Sequence, residues 1–381
     1  MPPSIAHPTS NVVEDSIAVS YASVMKYFGF LSFGHYTNGG HHGISAAQSL
    51  RQAIDLAVAA DEIGVNGAFF RVHHFAPQAA APMPLLSAIA SRTKAIEVGT
   101  GVIDMRYENP LYLAEEAAAL DLIADGRTAL GVSRGAPEIA QRGWESFGYR
   151  AEDPRGADLA RAHYERFLEA VAGKPMAEAA PLAEQYPTQM TPGTPLPVLP
   201  HAPGLRDRIW YGAGSNASAI QAARDGVNLM SSTLVFEHGD KPFGDIQAEQ
   251  LRAYRRAWVQ AGHEWTPRVS VSRSIFPLLS ERDRGLYGLS AQGDQVGQLD
   301  SGIATFGRTY AADPATLVKQ LSQDRALAEA DTLLLTIPNH LGFEENWSII
   351  RNFADYVAPA LGWEPARPGV VPSGYAIDEA D

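Results

Sequence analysis

A chain of 381 residues that is 45% hydrophobic has enough apolar material for a large core, and its net charge of −13 argues against a nucleic-acid or anionic-membrane partner. It contains no cysteine, which excludes disulfides, thiolate nucleophiles and cysteine-ligated zinc. No apolar run approaches the roughly 20 residues of a spanning helix, and the N-terminus lacks a basic region followed by an apolar core. The expectation is a soluble, cytoplasmic protein without a signal peptide.

Residues 1–25 read as a polar N-terminal extension, 26–363 as one domain and 364–381 as a C-terminal tail. The first strand is Lys26–Phe33, followed by a polar loop rich in glycine and histidine. Ser45 and Gln48 form a capping box. They open a helix with Leu50, Ile54, Ala57 and Val58 on one face that stops at Gly64. Gly67–Val72 is strand two, Pro84–Arg92 a helix and Ile96–Ile103 strand three. Asn109 and Pro110 start a helix as N-cap and first helical residue, with Leu113, Ala117 and Leu120 on its buried face. Strand four is Thr128–Val132, and a helix over Ala157–Ala172 follows.

Pro181–Pro203 carries seven prolines. It reads as an irregular loop on one domain, because the β/α alternation resumes after it without a change of composition. Strands five to eight are Ile209–Ala213, Val227–Met230, Val269–Phe276 and Thr332–Ile337. A glycine-rich excursion, Pro277–Ala312, lies between the last two. Eight short continuous apolar runs, each followed by a helix, predict a (β/α)8 TIM barrel, class α/β, with long insertions after strands four and seven. A doubly wound open sheet is the alternative that strand count leaves open.

Chemistry gathers at the ends of these strands, where parallel α/β folds place their sites. His73 and His74 follow strand two. An imidazole can give or take a proton, and adjacent residues face opposite sides, so at most one of the pair faces a reaction centre; a pair of hydrogen-bonded core or loop histidines is the alternative. No carboxylate complements the pair at metal-ligand spacing, so no metal site is expected. Ser133-Arg134-Gly135 ends strand four and suits a phosphate, since arginine is a permanently charged fork and glycine permits close backbone approach. Gly212, Gly214, Ser215 and Ser218 open a helix whose free N–H groups would complete such a clamp, although Ser215 would also serve as a simple N-cap. His35, His41 and His42 read as a solvated loop, and Asn339-His340 ends strand eight.

Four blocks carry a family resemblance: Ala60–Phe75, Glu97–Pro110, Ala114–Gly135 and Tyr211–Met230. Together, in this order, they closely resemble the luciferase-like flavin-dependent monooxygenases, over roughly residues 26–363. The resemblance implies a (β/α)8 barrel that uses reduced FMN and O2 to oxidise a small organic substrate through a peroxyflavin. It also implies a separate flavin reductase as partner and a homodimer or higher oligomer. In this family His73 aligns with the catalytic histidine, and Arg134, Gly214, Ser215 and Ser218 with the phosphate site. A non-prolyl cis peptide at Gly101-Val102 would support the flavin ring, and a mobile loop after strand seven would cover the site. Tyr36, Met105 and Tyr107 are candidates to line a substrate pocket above the flavin. One departure stands out: where the family often has Glu-His-His, this chain has Val72 before the pair and Arg71 before that. The alternatives are an F420-dependent hydride-transfer enzyme on the same barrel and a non-catalytic flavin-binding subunit.

Overall fold

The computed structural model describes residues 25–37, 43–135, 138–186, 189–236, 241–290, 293–299, 302–338 and 341–374. His41, His42, Asn339 and His340 lie outside the described residues, as does nearly all of the N-terminal extension. Eight parallel strands form the barrel: β1 (Tyr27–Ser32), β2 (Gly67–Phe70), β3 (Glu97–Asp104), β4 (Thr128–Ser133), β5 (Ile209–Ala213), β6 (Asn228–Ser231), β7 (Val269–Pro277) and β8 (Thr332–Thr336). Each pairs with its neighbour in sequence, and β1 pairs with β8 from Tyr27↔Thr332 to Leu31↔Thr336. The pairs Leu229↔Val269 and Met230↔Ser270 join β6 to β7 and close the ring. The open-sheet alternative is thereby excluded.

Local chemistry sets the helix ends. Helix α1 (Ala46–Glu62) starts at the expected box, with Gln48 N–H donating to Ser45 Oγ and Ser45 N–H to Gln48 Oε1. Gly64 ends it at φ 83°, a left-handed conformation that glycine adopts without cost. Its buried face is turned from the expected one. Ala53, Leu56, Ala57 and Ala60 face inward, and Leu50 is 46% exposed. Helix α2 (Pro82–Ala90) starts two residues early, with Pro82 at its first position. Asn109 caps α3 (Pro110–Ile123) through the N–H groups of Leu111 and Tyr112. The ring continues with α4 (Ala157–Val171), α5 (Asn216–Arg224), α6 (Phe243–Gln260), α7 (Pro314–Leu321) and α8 (Phe343–Tyr356).

Two apolar layers result. A large cluster fills the space between strands and helices, while Leu31, Phe69, Ala129, Trp210, Met230 and Leu334 fill the barrel. Phe69 fits inside because a Cβ on Gly99 would lie 2.7 Å from its ring and 2.2 Å from the Ala129 carbonyl oxygen.

Both insertions are more ordered than their composition predicts. In the first, Pro175–Glu178 pairs antiparallel with Pro195–Pro197, forming a small ribbon on the same domain. In the second, Ser280 and Asp283 cap a short helix, Glu281–Tyr287. A hairpin of Gln295–Leu299 and Gly302–Phe306 follows, and then Thr309–Ala312 runs parallel to the end of β7. The hairpin pairs with Leu234–Val235 just after β6, which brings this insertion over the strand ends.

At the strand starts, a buried arginine bridges three strands. Arg268 donates from Nη1 and Nη2 to the two oxygens of Glu97, at 2.7 and 3.0 Å, and from Nη2 to Thr332 Oγ1. Its Nε lies 3.7 Å from Asp331, whose other oxygen accepts from Val269 N–H. Removing one member of a buried pair strands the other charge. Glu97→Ala should therefore lower stability by about 3–5 kcal/mol, read as a lower urea midpoint with activity-independent spectroscopy, whereas substitution of exposed Glu115 should leave the midpoint unchanged.

Candidate active site

A cavity opens at the C-terminal ends of the strands, bounded by residues from every barrel strand or the loop that follows it. Its wall passes from Arg71 and His73 after β2 to Gly101 and Val102 in β3, then to Arg134 after β4 and Gly212 and Gly214 at β5. Leu31, Met230 and Leu334 supply apolar floor.

The Gly101–Val102 peptide is cis, and the pairing of β3 with β4 shifts register between Thr100 and Ile103. This exposes part of Gly101 and Val102 in an otherwise buried strand. Opposite, a Cβ on Gly212 would stand 3.0 Å from Val102 Cγ1. Gly135, at φ 88°, has the Asp104 carboxylate where its Cβ would be. Val102 and Asp104 thus pack closely against these glycines, an approach that a side chain at either position would block.

His73 lines the cavity and His74 does not, as the alternation of adjacent residues predicts. His73 Nδ1 meets Glu138 Oε1 at 3.1 Å, and the Glu138 side chain is 3% exposed. A carboxylate partner makes Nδ1 the donor and leaves Nε2 as the basic nitrogen. His74 packs instead, stacked on Tyr107 at 4.2 Å. Its Nε2 lies 4.0 Å from Glu108, and burial depresses its pKa.

Arg134 lines the cavity with its side chain largely exposed. Ser215 and Ser218 make a reciprocal capping box at the start of α5: Ser218 N–H donates to Ser215 Oγ and Ser215 N–H to Ser218 Oγ, both at 3.2 Å. The capping role is therefore real, and the helix N-terminus directly follows the cavity-lining Gly214.

The three candidate substrate residues are not on the cavity wall. Met105 is fully buried in the main core, and its neighbour Arg106 folds back onto Asp104 in a forked ion pair, with Nε 2.9 Å from Oδ1. Tyr107 is buried between His74 and Trp144, and Tyr36 is half-buried beside Pro77. Conversely, Glu138 and Arg71 belong to the cavity without having been marked as site residues. Arg71 stood out in the sequence only as a departure from the family pattern. Glu138 lies in irregular chain after β4, where no periodicity points to it.

These observations agree with the comparisons. A family model described as luciferase-like monooxygenase matches residues 25–284. The chain belongs to the luciferase-like monooxygenase family. It spans about half the length of curated relatives it matches: an uncharacterised protein of Sinorhizobium fredii is 28% identical over 52% of this chain and 55% of its own length. The oxygenase component of a flavin-dependent trigonelline monooxygenase from Acinetobacter baylyi is 36% identical over 22% of this chain and 24% of its own. An F420-dependent glucose-6-phosphate dehydrogenase from Amycolatopsis mediterranei is 34% identical over 26% and 32%. Among solved structures, the oxygenating constituent of 3,6-diketocamphane monooxygenase from Pseudomonas putida, in complex with FMN, shares the fold at a TM-score of 0.63. It is 18% identical, and the match covers 90% of this chain and all of that one.

Glu108, beside His74, is pushed up to about 7 by burial, with Glu116 and Asp104 adding repulsion. Its folded-state value thus exceeds its unfolded one, so the folded chain holds the proton longer. This contribution is fully present below about pH 4.5 and is lost as pH rises through about 7. Glu108→Gln removes that loss. Its melting temperature should match wild type near pH 5 and exceed it near pH 8, a difference of up to about 3 kcal/mol measurable by thermal unfolding across that range.

Proposed function

We propose that the protein is an oxygenase that binds reduced FMN, delivered by a separate reductase, and uses O2 to oxidise a small organic substrate at the barrel mouth. The observation that carries this reading is the cavity itself. The cis Gly101–Val102 peptide lies along its wall, between Arg134 and the start of α5 on one side and the His73–Glu138 pair on the other.

The residues fit such a cofactor. Arg134 and the first N–H groups of α5, with Ser215 and Ser218, would hold the phosphate, since an arginine fork and a helix N-terminus both favour an anion. Gly101, Val102, Gly212 and Gly214 line the cavity where the ring would lie. Reduced FMN would supply two electrons to O2. His73 then holds or moves a proton at Nε2, while Glu138 fixes its ring through Nδ1. The hairpin paired with Leu234–Val235 stands beside the cavity-lining Leu234, where it would help exclude water and protect reactive oxygen chemistry from wasteful decay.

A second reading, hydride transfer with F420, draws on the F420-dependent relative. Anaerobic titration with reduced FMN, oxidised FMN and F420, followed by admission of air, separates the two. The expected result is preferential binding of reduced FMN and oxygen uptake on aeration. Tight F420 binding without oxygen uptake would move the protein to hydride transfer, and binding of neither would remove both readings.

Two variants test the roles. Arg134→Ala should weaken reduced-FMN binding roughly 10- to 100-fold, the usual worth of a charge-assisted hydrogen bond. His73→Ala should keep that affinity and lower turnover, on the best substrate from a small-molecule screen, by about 100-fold. Weaker cofactor binding in place of slower turnover would reassign His73 to positioning.

A further inference from the structure

Arg71 is a charged cavity residue that the proposed mechanism leaves unused. It directly follows β2, and its backbone N–H donates to the Ser32 carbonyl at 2.9 Å, so its position is set by strand pairing. The side chain lines the cavity, with its guanidinium 4.9 Å from the centre of the Phe33 ring. Burial depresses its pKa and Glu138 partly offsets this, but arginine stays charged in a protein.

Among the described residues, no carboxylate lies within ion-pair distance of Arg71. The buried arginines have one: Arg106 holds Asp104, Arg268 holds Glu97 and Arg273 holds Asp324. Glu138 is the nearby carboxylate, with Oε1 engaged by His73 and Oε2 without a hydrogen-bond partner, and it forms no ion pair with Arg71. An aromatic face attracts a cation but accepts no forked hydrogen bond. A guanidinium partly open to the cavity, with five donors and no carboxylate within ion-pair distance, is free to take a forked pair from an anionic ligand.

That ligand is not needed to be the cofactor. Arg134 and α5 already offer an anion site two strands along the wall, past the Gly101–Val102 peptide. Phe33 lies against Arg71, and the same cavity is lined by the apolar Leu31 and Leu334, which would take an apolar body. We propose that Arg71 is the receptor for an anionic head group, so that the site selects small carboxylates with an apolar body as substrates. This rests on the reading of the cavity as a substrate site.

Benzoate and its uncharged counterpart benzamide are suitable probes, titrated calorimetrically into the protein alone and into the protein loaded with FMN. Benzoate should bind at least about ten-fold more tightly than benzamide, since the forked pair is charge-assisted. Arg71→Met should erase that preference, Arg71→Lys should keep part of it, and neither should change affinity for reduced FMN. Equal binding of both probes to the wild-type protein would overturn the proposal. So would a preference that survives in Arg71→Met, which would leave Arg71 as a counter-charge to Glu138. Weaker FMN binding in Arg71→Met would assign the arginine to the cofactor instead. The outcomes separate from those of the oxygenase reading. A benzoate preference dependent on Arg71 in a protein that binds no flavin would sustain the anion site and sink the oxygenase. Flavin binding without any such preference would do the reverse.

Discussion

A (β/α)8 barrel must join its last strands to its first, and here the burden falls on charges sealed inside the strand-start end. The β6–β7 closure rests on two residue pairs, Leu229↔Val269 and Met230↔Ser270. Directly beneath it, Arg268 reaches across to Glu97 at the start of β3 and to Asp331 and Thr332 at the start of β8, and its guanidinium lies 4.8 Å from the Trp210 ring of β5. Buried ion pairs add little net stability compared with apolar packing, but a mispaired one is costly. Alternative strand registers would leave Arg268 or Asp331 without a partner, so the pairing selects one register as much as it stabilises it. The sites at the other end depend on that register, because each residue on the cavity wall is carried by its own strand.

The opposite end is built on the same logic with the charges left partly open. Arg106 is folded back onto Asp104 and packs on Trp144, so the loop after β3 is held by its own ion pair. Glu138 orients His73. Glycines at 101, 135 and 212 let Leu31, Asp104 and Val102 pack where side chains would otherwise stand. These contacts and ion pairs fix the wall of the cleft at the end of a barrel packed with Phe69, Trp210 and Met230.

The barrel was legible because each strand is buried on both faces and therefore reads as an uninterrupted apolar run, bounded by caps such as Ser45, Asn109 and Asp313. What escaped has physical reasons. The ribbon of Pro175–Glu178 and Pro195–Pro197 is largely exposed and proline-rich, so neither alternation nor apolar content marks it. Helix α1 buries mostly alanines, which carry a weak periodic signal beside the exposed Leu50. Within the cavity, His73, Arg134 and the glycines were visible as types at strand ends. The cis peptide was expected only through resemblance. Met105 and Tyr107 follow the cavity-lining end of β3 in sequence, but the Asp104–Arg106 fork turns that stretch inward.

The stretch after the last helix bears on traffic. Trp363 donates from its indole nitrogen to Asn66 Oδ1, Glu364 N–H donates to the Lys26 carbonyl, and Val371–Gly374 run beside Trp210 and Arg268 beneath the strand starts. With the interior above them filled by Trp210 and Phe69, the described chain offers passage to the cavity from one side only. On the proposed function, cofactor and substrate would share that one side, so whichever sits deeper would have to enter first and leave last.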